Sequence, residues 1–173
     1  MPSACDLSGG SGSNPPGDYA PKHNPAVYYT GADDRAACAK DNLPMGTSTS
    51  GALISALASE ASLPTFSLVT PNMCNDAHDC SVATSDAWVK KWMPIMLDSP
   101  AYKSGNTAII FVYDEANGST YGVFPVSEPC PIILIAPSVT KGKVSTVRYD
   151  QYAVARATQE MLGVPLLQKA ATA

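Results

Sequence analysis

Apolar residues recur every three or four positions in three segments of the chain, residues 49–59, 85–97 and 152–162. Side chains with this spacing lie on one face of an α-helix, which can then pack against a core. Ser85 or Thr84 can cap the first turn of the second segment, because a hydroxyl oxygen accepts a hydrogen bond from a free backbone N–H group. The pattern therefore predicts three amphipathic helices.

Continuous apolar runs occupy residues 65–70, 107–113 and 131–136. A run of this length is typical of a strand that is buried on both faces of a sheet. These runs alternate with the amphipathic segments, which is the order found in α/β layers. We expect an α/β fold with a mostly parallel sheet flanked by helices, in which ligands bind beyond the carboxyl ends of the strands.

The composition is that of an ordinary soluble globular domain, with 45% hydrophobic residues, 15% charged residues and a net charge of -4. The chain has no basic stripe that could neutralise nucleic-acid phosphates, so nucleic acid is not an expected partner. Its apolar runs are much shorter than the roughly 20 residues of a membrane-spanning helix. We predict a single domain over residues 1–173, with a flexible loop at residues 8–17, where glycine and proline are concentrated.

Five cysteines are many for a chain of this size. Small or polar residues separate Cys74 from Cys80 and could close a tight loop as a disulfide, while His78 between them leaves a metal site open as the alternative. Cys5 and Cys38 could form a second bridge. Disulfides persist in oxidising compartments, so the cysteines predict a parent protein that is secreted or periplasmic.

Two groups of acidic residues follow predicted strands. Asp76 and Asp79 flank His78 after the first strand, and Asp114 and Glu115 end the second. Carboxylate oxygens are the preferred ligands of hard divalent cations, and an imidazole shifts the preference towards zinc, iron or manganese. The two groups could therefore converge on one metal ion. The alternative for each acid is structural, either a helix cap or a solvated loop.

Lys22 and His23 place a cation and an imidazole beside a turn, in a chain with two histidines. The alternative is an exposed turn histidine without a functional role. The sequence contains no Gly-x-Ser-x-Gly motif for a serine nucleophile and no glycine-rich loop for nucleotide phosphates. An ordinary serine esterase and a nucleotide-binding protein are therefore not supported.

Six segments stand out in order along the chain: YAPKHNP at 19–25, LPTFSLVTPN at 63–72, CNDAHDC at 74–80, DAWVKKW at 86–92, FVYDE at 111–115 and the predicted last helix at 149–162. Together they resemble the secreted bacterial phosphoesterases of the alkaline phosphatase superfamily. That family includes acid phosphatases, phosphatidylinositol phosphatases and phospholipases of the C type. Several motifs in a consistent order are more specific than any one of them.

The resemblance implies a truncated alkaline-phosphatase-like domain and metal-dependent hydrolysis of phosphate esters. Matched motif by motif, it implies that Asp114 and Glu115 bind a divalent metal ion, together with Asp76. A small phosphate ester or a phospholipid headgroup is the implied substrate.

The same comparison implies catalytic roles for the two histidines. His23 is similar to a phosphate contact or proton donor, and His78 is similar to a contact of the substrate or the metal. Lys22 would bind substrate by adding positive potential next to His23.

The chain departs from the family in two respects. The family's acidic metal-binding segment and its serine or threonine nucleophile lie in an upstream half, so we expect this chain, which starts without a signal-peptide pattern, to be the C-terminal half of a longer domain. Near the last helix, the family pattern Asn-His-Tyr is met by Asp150, Gln151 and Tyr152, which removes an imidazole. Catalysis by this chain is therefore expected to be impaired.

Two other functions are compatible with the sequence. One is a non-catalytic interaction or scaffold module, and the other is a carboxyl ester hydrolase that reuses the metal pocket. Half of a sheet leaves exposed strand edges and apolar surface, so we also expect a homodimer or pairing with another chain.

Overall fold

The computed structural model describes residues 1–8, 19–114 and 130–173, which form two compact units, Met1–Ser104 and Gly105–Ala173. The described helices are α1 (Ala32–Asp41), α2 (Ala52–Ala56), α3 (Val82–Asp98), α4 (Pro100–Lys103) and α5 (Gln151–Leu162). The described strands are β1 (Ile109–Val112) and β2 (Ile132–Ile135), and short 3-10 turns span Pro21–His23, Pro25–Tyr28, Glu60–Ser62 and Gln168–Thr172.

A disulfide between Cys5 and Cys38 joins the N-terminal segment to α1. Val27 packs against this bridge and is only 1% exposed, so the three side chains form a small apolar cluster. The Arg35 guanidinium also donates a hydrogen bond to the carbonyl oxygen of Val27 at 3.1 Å. The cluster therefore fixes the segment that carries the turn Pro21–His23.

The larger apolar core of the first unit forms where α2 packs against α3. Leu53 and Leu57 of α2 contact Trp92 of α3, which is 2% exposed. Partly buried apolar side chains surround this contact: Met45, Ile54, Leu63, Val69, Trp88, Ile95 and Met96. The helical spacing of the apolar residues correctly predicted these packed faces.

The first helix predicted from the apolar spacing, at residues 49–59, is shorter than expected. Gly51 has a φ of 119°, a conformation that side chains other than glycine rarely adopt. The backbone N–H of Thr47 donates to the carbonyl of Ser50 at 2.7 Å. Residues 47–51 therefore form a turn, and α2 begins only at Ala52.

The second predicted helix, at residues 85–97, begins earlier than expected. Ser81 is its N-cap, because its hydroxyl accepts a hydrogen bond from the backbone N–H of Thr84 at 3.3 Å. Ser85 is buried inside the first turns of α3. The prediction that Ser85 or Thr84 caps the helix was therefore wrong.

The strands β1 and β2 pair in antiparallel orientation, with Ile109 opposite Ile135 and Val112 opposite Ile132. Both segments were predicted to be strands, and this is confirmed. The expected mostly parallel sheet is not found among the described residues, whose only sheet is this antiparallel pair. An apolar run identifies a strand but does not determine the direction of its neighbour.

The two strands are also less buried than the sequence predicted. In β2, Ile133 is 49% exposed and Leu134 is 48% exposed. The unbroken apolar run was interpreted as a strand covered on both faces. Among the described residues of the second unit, these apolar side chains are about half exposed.

Residues 65–70 do not form the predicted strand. Val69 instead packs against the core formed by α2 and α3, whereas Phe66 and Leu68 are exposed. A strand requires a neighbour to complete its backbone hydrogen bonds, and the apolar run supplies none by itself. The loop at residues 74–80 therefore does not lie at the carboxyl end of a strand, as had been expected.

The last predicted helix is confirmed as α5. Asp150 caps it by accepting a hydrogen bond from the backbone N–H of Ala153 at 2.9 Å. Gly163 ends it with a φ of 66°, the left-handed conformation common after a helix. The ring of Tyr152 lies under the ammonium group of Lys169, 5.3 Å from the ring centroid, which links α5 to the final 3-10 turn.

Both predicted disulfides, Cys5–Cys38 and Cys74–Cys80, are confirmed. The alternative of a metal site at Cys74 and Cys80 is therefore wrong. Cys130 is the free cysteine among the described residues.

Two predictions about organisation concern parts of the chain that the structure does not decide. The loop predicted at 8–17 lies outside the described residues except for Ser8. The interpretation of residues 1–173 as one domain stays a prediction.

In the described ranges, no helix combines the length and apolar character needed to cross a membrane.

Candidate functional site

His23 ends the short turn Pro21–His23. Proline favours the start of a helical turn because its ring fixes φ, and the backbone N–H of His23 donates to the carbonyl of Ala20 at 3.1 Å. Ala20 and Pro21 are buried, whereas Lys22 is exposed. The buried residues therefore anchor the turn while His23 remains partly accessible.

Asn24 holds the other side of this turn against the end of α1. Asn24 and Asn42 exchange two side-chain amide hydrogen bonds of 2.8 Å each. Asn24 also donates to the hydroxyl of Tyr19 at 2.9 Å, and that hydroxyl donates to the carbonyl of Asp6 at 2.7 Å. Burial raises the pKa of Tyr19 above its ordinary value, so the phenol remains a donor. This network fixes the backbone next to His23.

The Cys74–Cys80 disulfide closes a small loop that carries Asp76 and the second histidine. The backbone N–H of Asp79 donates to the carbonyl of Met73 at 2.8 Å, and Met73 is only 1% exposed. The carbonyl of Asn72 accepts a hydrogen bond from the N–H of Asp76 at 3.0 Å. The loop is therefore fixed at its base by a covalent bond, a buried side chain and two backbone hydrogen bonds.

The carboxylate of Asp76 connects the two histidines. Its Oδ1 accepts a hydrogen bond from the backbone N–H of His78 at 2.8 Å. Its Oδ2 lies 3.3 Å from Nδ1 of His23, which is within ion-pair distance. Within the described residues this buried Oδ2 accepts no hydrogen bond.

His78 has a carboxylate partner of its own. Its Nδ1 lies 2.9 Å from Oδ1 of Asp79. The rings of His23 and His78 stand edge to face, with centroids 6.3 Å apart and an angle of 62° between their planes. The structure therefore brings together His23, Asp76 and His78, three of the residues singled out in the sequence.

Both imidazoles direct Nδ1 towards a carboxylate, so Nε2 is the ring nitrogen left to contact a ligand. When the ring is protonated on both nitrogens, Nε2 can donate a hydrogen bond to a tetrahedral oxyanion, and in the neutral ring with hydrogen on Nδ1 it can accept a proton. Lys22, next to His23 in the chain, adds positive charge that opposes the charge of the two carboxylates. This arrangement suits acid–base chemistry on an anionic ligand.

The three predicted metal ligands lie in different parts of the chain. Asp76 lies in the first unit and Asp114 in the second, and Glu115 lies outside the described residues. In residues 1–8, 19–114 and 130–173, no group of three or more His, Cys, Asp or Glu side chains could hold a metal ion. The buried Oδ2 of Asp76 fits a ligand oxygen, but it does not form a complete site. The convergence of the three acids stays a prediction.

The segment around Asp114 is fixed by Gln151, at the start of α5. The side-chain amide of Gln151 donates to the carbonyl oxygens of Asp114 at 2.9 Å and of Tyr113 at 3.2 Å. In the resemblance described above, Gln151 was matched to the histidine of the pattern Asn-His-Tyr. In the second unit it therefore holds the backbone that follows β1.

The sequence interpretation missed the residues that support the histidines. Asp79 was assigned to an acidic metal group, and its bond to His78 was not foreseen. Asn24 and Asn42 were not considered, because no local pattern links two amides from different segments. The sequence signal for this contact was that Asp79 directly follows His78. Adjacent side chains can form a hydrogen bond, but the sequence alone does not show that they do.

Comparison with known proteins gives a consistent result. The sequence profile of the phosphoesterase family matches residues 12–165. The chain is 28% identical to an acid phosphatase of Aspergillus fumigatus over 87% of its own length and 32% of that protein. It is 26% identical to a phosphate-repressible acid phosphatase of Penicillium chrysogenum, over 88% of the chain and 35% of that protein.

A bacterial relative is also similar. The chain is 30% identical to a phosphatidylinositol-3-phosphatase of Mycobacterium tuberculosis over 63% of its own length and 32% of that protein. The chain thus spans about a third of the length of these relatives. No solved structure matches the chain.

Proposed function

Because this chain belongs to the phosphoesterase family, we propose that it takes part in the hydrolysis of phosphate esters, with His23, Asp76 and His78 at the phosphate-binding part of the site. The observation that carries the proposal is the carboxylate of Asp76, which contacts both His23 and His78. Relatives named acid phosphatase support the reaction class.

Each histidine has a distinct role in this proposal. Nε2 of His23 contacts a phosphate oxygen or donates a proton to the oxygen of the leaving alcohol, while Nε2 of His78 contacts the phosphate. In the net reaction water adds to phosphorus, the P–O bond to the alcohol breaks, and the alcohol leaves with a proton. Lys22 assists binding through its positive charge.

Metal dependence is a further part of the proposal. We propose that Asp76, Asp114 and Glu115 bind a divalent metal ion. Such an ion would neutralise charge on the phosphate oxygens when bound. The support comes from the donor chemistry of the three acids and from the buried Oδ2 of Asp76. Metal analysis of the purified chain, compared with a triple Asp76→Asn, Asp114→Asn and Glu115→Gln variant, tests it without an activity assay.

The test of the function is hydrolysis of p-nitrophenyl phosphate by the purified chain, with and without a chelator. The His23→Gln and His78→Gln variants should lose at least tenfold in kcat/KM, since each loses a contact made in the transition state. The Asp86→Asn variant, altered at an exposed position of α3, should match the wild type. Equal rates in all variants would contradict the proposal.

The substrate is proposed to be a small phosphate monoester or a phospholipid headgroup. The mycobacterial relative named phosphatidylinositol-3-phosphatase supports the second choice. Both share a phosphate monoester, so the site chemistry is the same. Phosphate release from p-nitrophenyl phosphate and from vesicles that contain phosphatidylinositol 3-phosphate separates the two substrates.

The cellular setting is proposed from the covalent structure. Two disulfides fit an oxidising compartment, so we place the parent protein outside the cytosol, in a secreted or periplasmic setting. Expression with and without an export signal, followed by counting free thiols, tests this assignment. One free thiol per chain is expected after export, because Cys130 is the unpaired cysteine.

We also propose that the chain associates with itself or with another chain. The support is the exposed apolar surface of β2, where Ile133 and Leu134 are about half exposed. Light scattering should show a dimer that the Ile133→Lys and Leu134→Lys variants convert to a monomer. A wild-type monomer at all concentrations would contradict self-association.

A further inference from the structure

Among the described residues, the contact between His78 and Asp79 is the shortest that fixes the orientation of an imidazole ring. Nδ1 of His78 lies 2.9 Å from Oδ1 of Asp79. Asp79 is less exposed than His78, with side-chain exposures of 20% and 40%. The more protected carboxylate therefore supports the more accessible ring, as expected when one group orients another.

Asp79 is itself held in a fixed place. Its backbone N–H donates to the carbonyl of the buried Met73 at 2.8 Å. The next residue, Cys80, is bonded to Cys74. A carboxylate on such a backbone can hold a partner with little loss of entropy, because its own position is already determined.

The backbone of His78 is fixed from the other side. Its N–H donates to Oδ1 of Asp76 at 2.8 Å, and Ala77 between them has a φ of 74°. With the backbone determined, the remaining freedom of His78 is the rotation of its side chain. The contact with Asp79 restricts this rotation, and the ring of His78 then lies 6.3 Å from the ring of His23, centroid to centroid.

We propose that Asp79 is a positioning residue for His78: its carboxylate accepts a hydrogen bond from Nδ1–H and thereby holds Nε2–H of the protonated ring towards a bound phosphate. The inference rests on the proposed function and deepens it. Asp79 contacts neither the phosphate nor the metal in this scheme. Its effect passes through the tautomer and the orientation of one ring.

The presence of two histidines makes a spectroscopic test practical. Long-range proton–nitrogen correlation spectra show which ring nitrogen carries the hydrogen, and a His23→Gln variant assigns the two rings. At alkaline pH the wild type should show His78 with hydrogen on Nδ1. The Asp79→Ala variant should revert to the Nε2–H form that a free histidine side chain prefers. An Nε2–H form in the wild type would overturn the proposal.

Kinetics provides the second readout. Asp79→Ala should lower kcat about ten- to hundredfold, the range found when a group that orients a histidine is removed, with a smaller change in KM. Asp79→Asn keeps the shape but can donate to Nδ1, so it should not restore kcat, whereas Asp79→Glu should restore part of it. Full activity of both Asp79→Ala and Asp79→Asn would overturn the proposal.

Two controls separate this inference from the proposed function. Near-ultraviolet circular dichroism of Asp79→Asn shows whether the loop is still folded, and Asp86→Ala should leave both histidine signals unchanged. Addition of inorganic phosphate should shift the Nε2 signal of His78. If phosphate shifts no histidine signal but the tautomer depends on Asp79, the phosphate site is wrong and the positioning contact stands.

Discussion

Nδ1 of His23 lies 3.3 Å from Oδ2 of Asp76, although the two residues belong to segments that are far apart in the chain. The turn that presents His23 is fixed by Asn24 and Asn42, and the loop that presents Asp76 is fixed by a disulfide. The contact therefore joins two segments that are each fixed by other bonds. The strength of the contact between His23 and Asp76 depends on both segments staying in place.

Replacement of Asp76 by alanine should weaken phosphate binding by tenfold or more. The change removes the contact to Nδ1 of His23 and the hydrogen bond to the N–H of His78 together. Titration calorimetry with inorganic phosphate measures the affinity. The Asp86→Ala variant should bind as the wild type does, and an unchanged affinity of Asp76→Ala would count against the role of the carboxylate.

The two disulfides should affect stability and function differently. A disulfide stabilises a protein by reducing the entropy of the unfolded chain, and more so when it closes a longer loop. The Cys5–Cys38 bridge, with a separation of 33, should contribute about 4 kcal/mol, and the Cys74–Cys80 bridge, with a separation of 6, about 2 kcal/mol. Replacing both cysteines of Cys5–Cys38 by alanine should therefore lower the free energy of unfolding, measured by urea denaturation, more than replacing both cysteines of Cys74–Cys80. Loss of phosphate binding should be larger for the second, because its loop carries Asp76 and His78.

If removal of Cys74–Cys80 leaves phosphate binding intact while the protein remains folded, the hydrogen bonds at the base of the loop are sufficient. The disulfide would then have only a stabilising role.

Substitutions at Ala77 should report the strain of its left-handed backbone. Its φ of 74° costs an L-residue about 1 kcal/mol, a cost that glycine avoids. Ala77→Gly should raise the free energy of unfolding by about 0.5 kcal/mol after the greater entropy of unfolded glycine is included. Ala77→Val should lower the free energy of unfolding by more than about 1 kcal/mol. A β-branched residue fits the left-handed conformation poorly, and a strained backbone of this kind costs about that much. Equal stability of all three would contradict the assigned backbone.

Tyr19 should make stability depend on alkaline pH. Burial raises the pKa of the folded state above the unfolded value of about 10. The stabilising contribution is fully present below the unfolded pKa and is lost as pH rises through the folded pKa. In urea denaturation, Tyr19→Phe should therefore lose less stability than the wild type as the pH rises above about 10. Tyr149→Phe, at an exposed position, should behave as the wild type does.

Much of the helical structure follows from local patterns. Leu53 and Leu57 meet Trp92 because each helix repeats its apolar residues on one face. The direction of β2 relative to β1 does not follow from such a pattern, because every apolar run is compatible with either neighbour orientation. The exposure of Ile133 shows the same limit, since a sequence records that a side chain is apolar and not what covers it.

The site was predictable in part. The resemblance of two motifs to one family indicated that His23 and His78 share a function, and the structure places their rings 6.3 Å apart. The bond from Asp79 to His78 was not predictable, because adjacent side chains in an extended or helical segment do not face each other in this way. The left-handed residue Ala77 and the closed loop make that geometry possible.

The ring closed by Cys74 and Cys80 also limits how the sequence can change over evolutionary time. A separation of 6 fixes the number of residues between the cysteines at five. Point substitutions within the ring alter one side chain, whereas an insertion or a deletion would rotate every later side chain relative to His23. We therefore expect the length of this segment to be far more constant among functional descendants than the identity of a position such as Asn75.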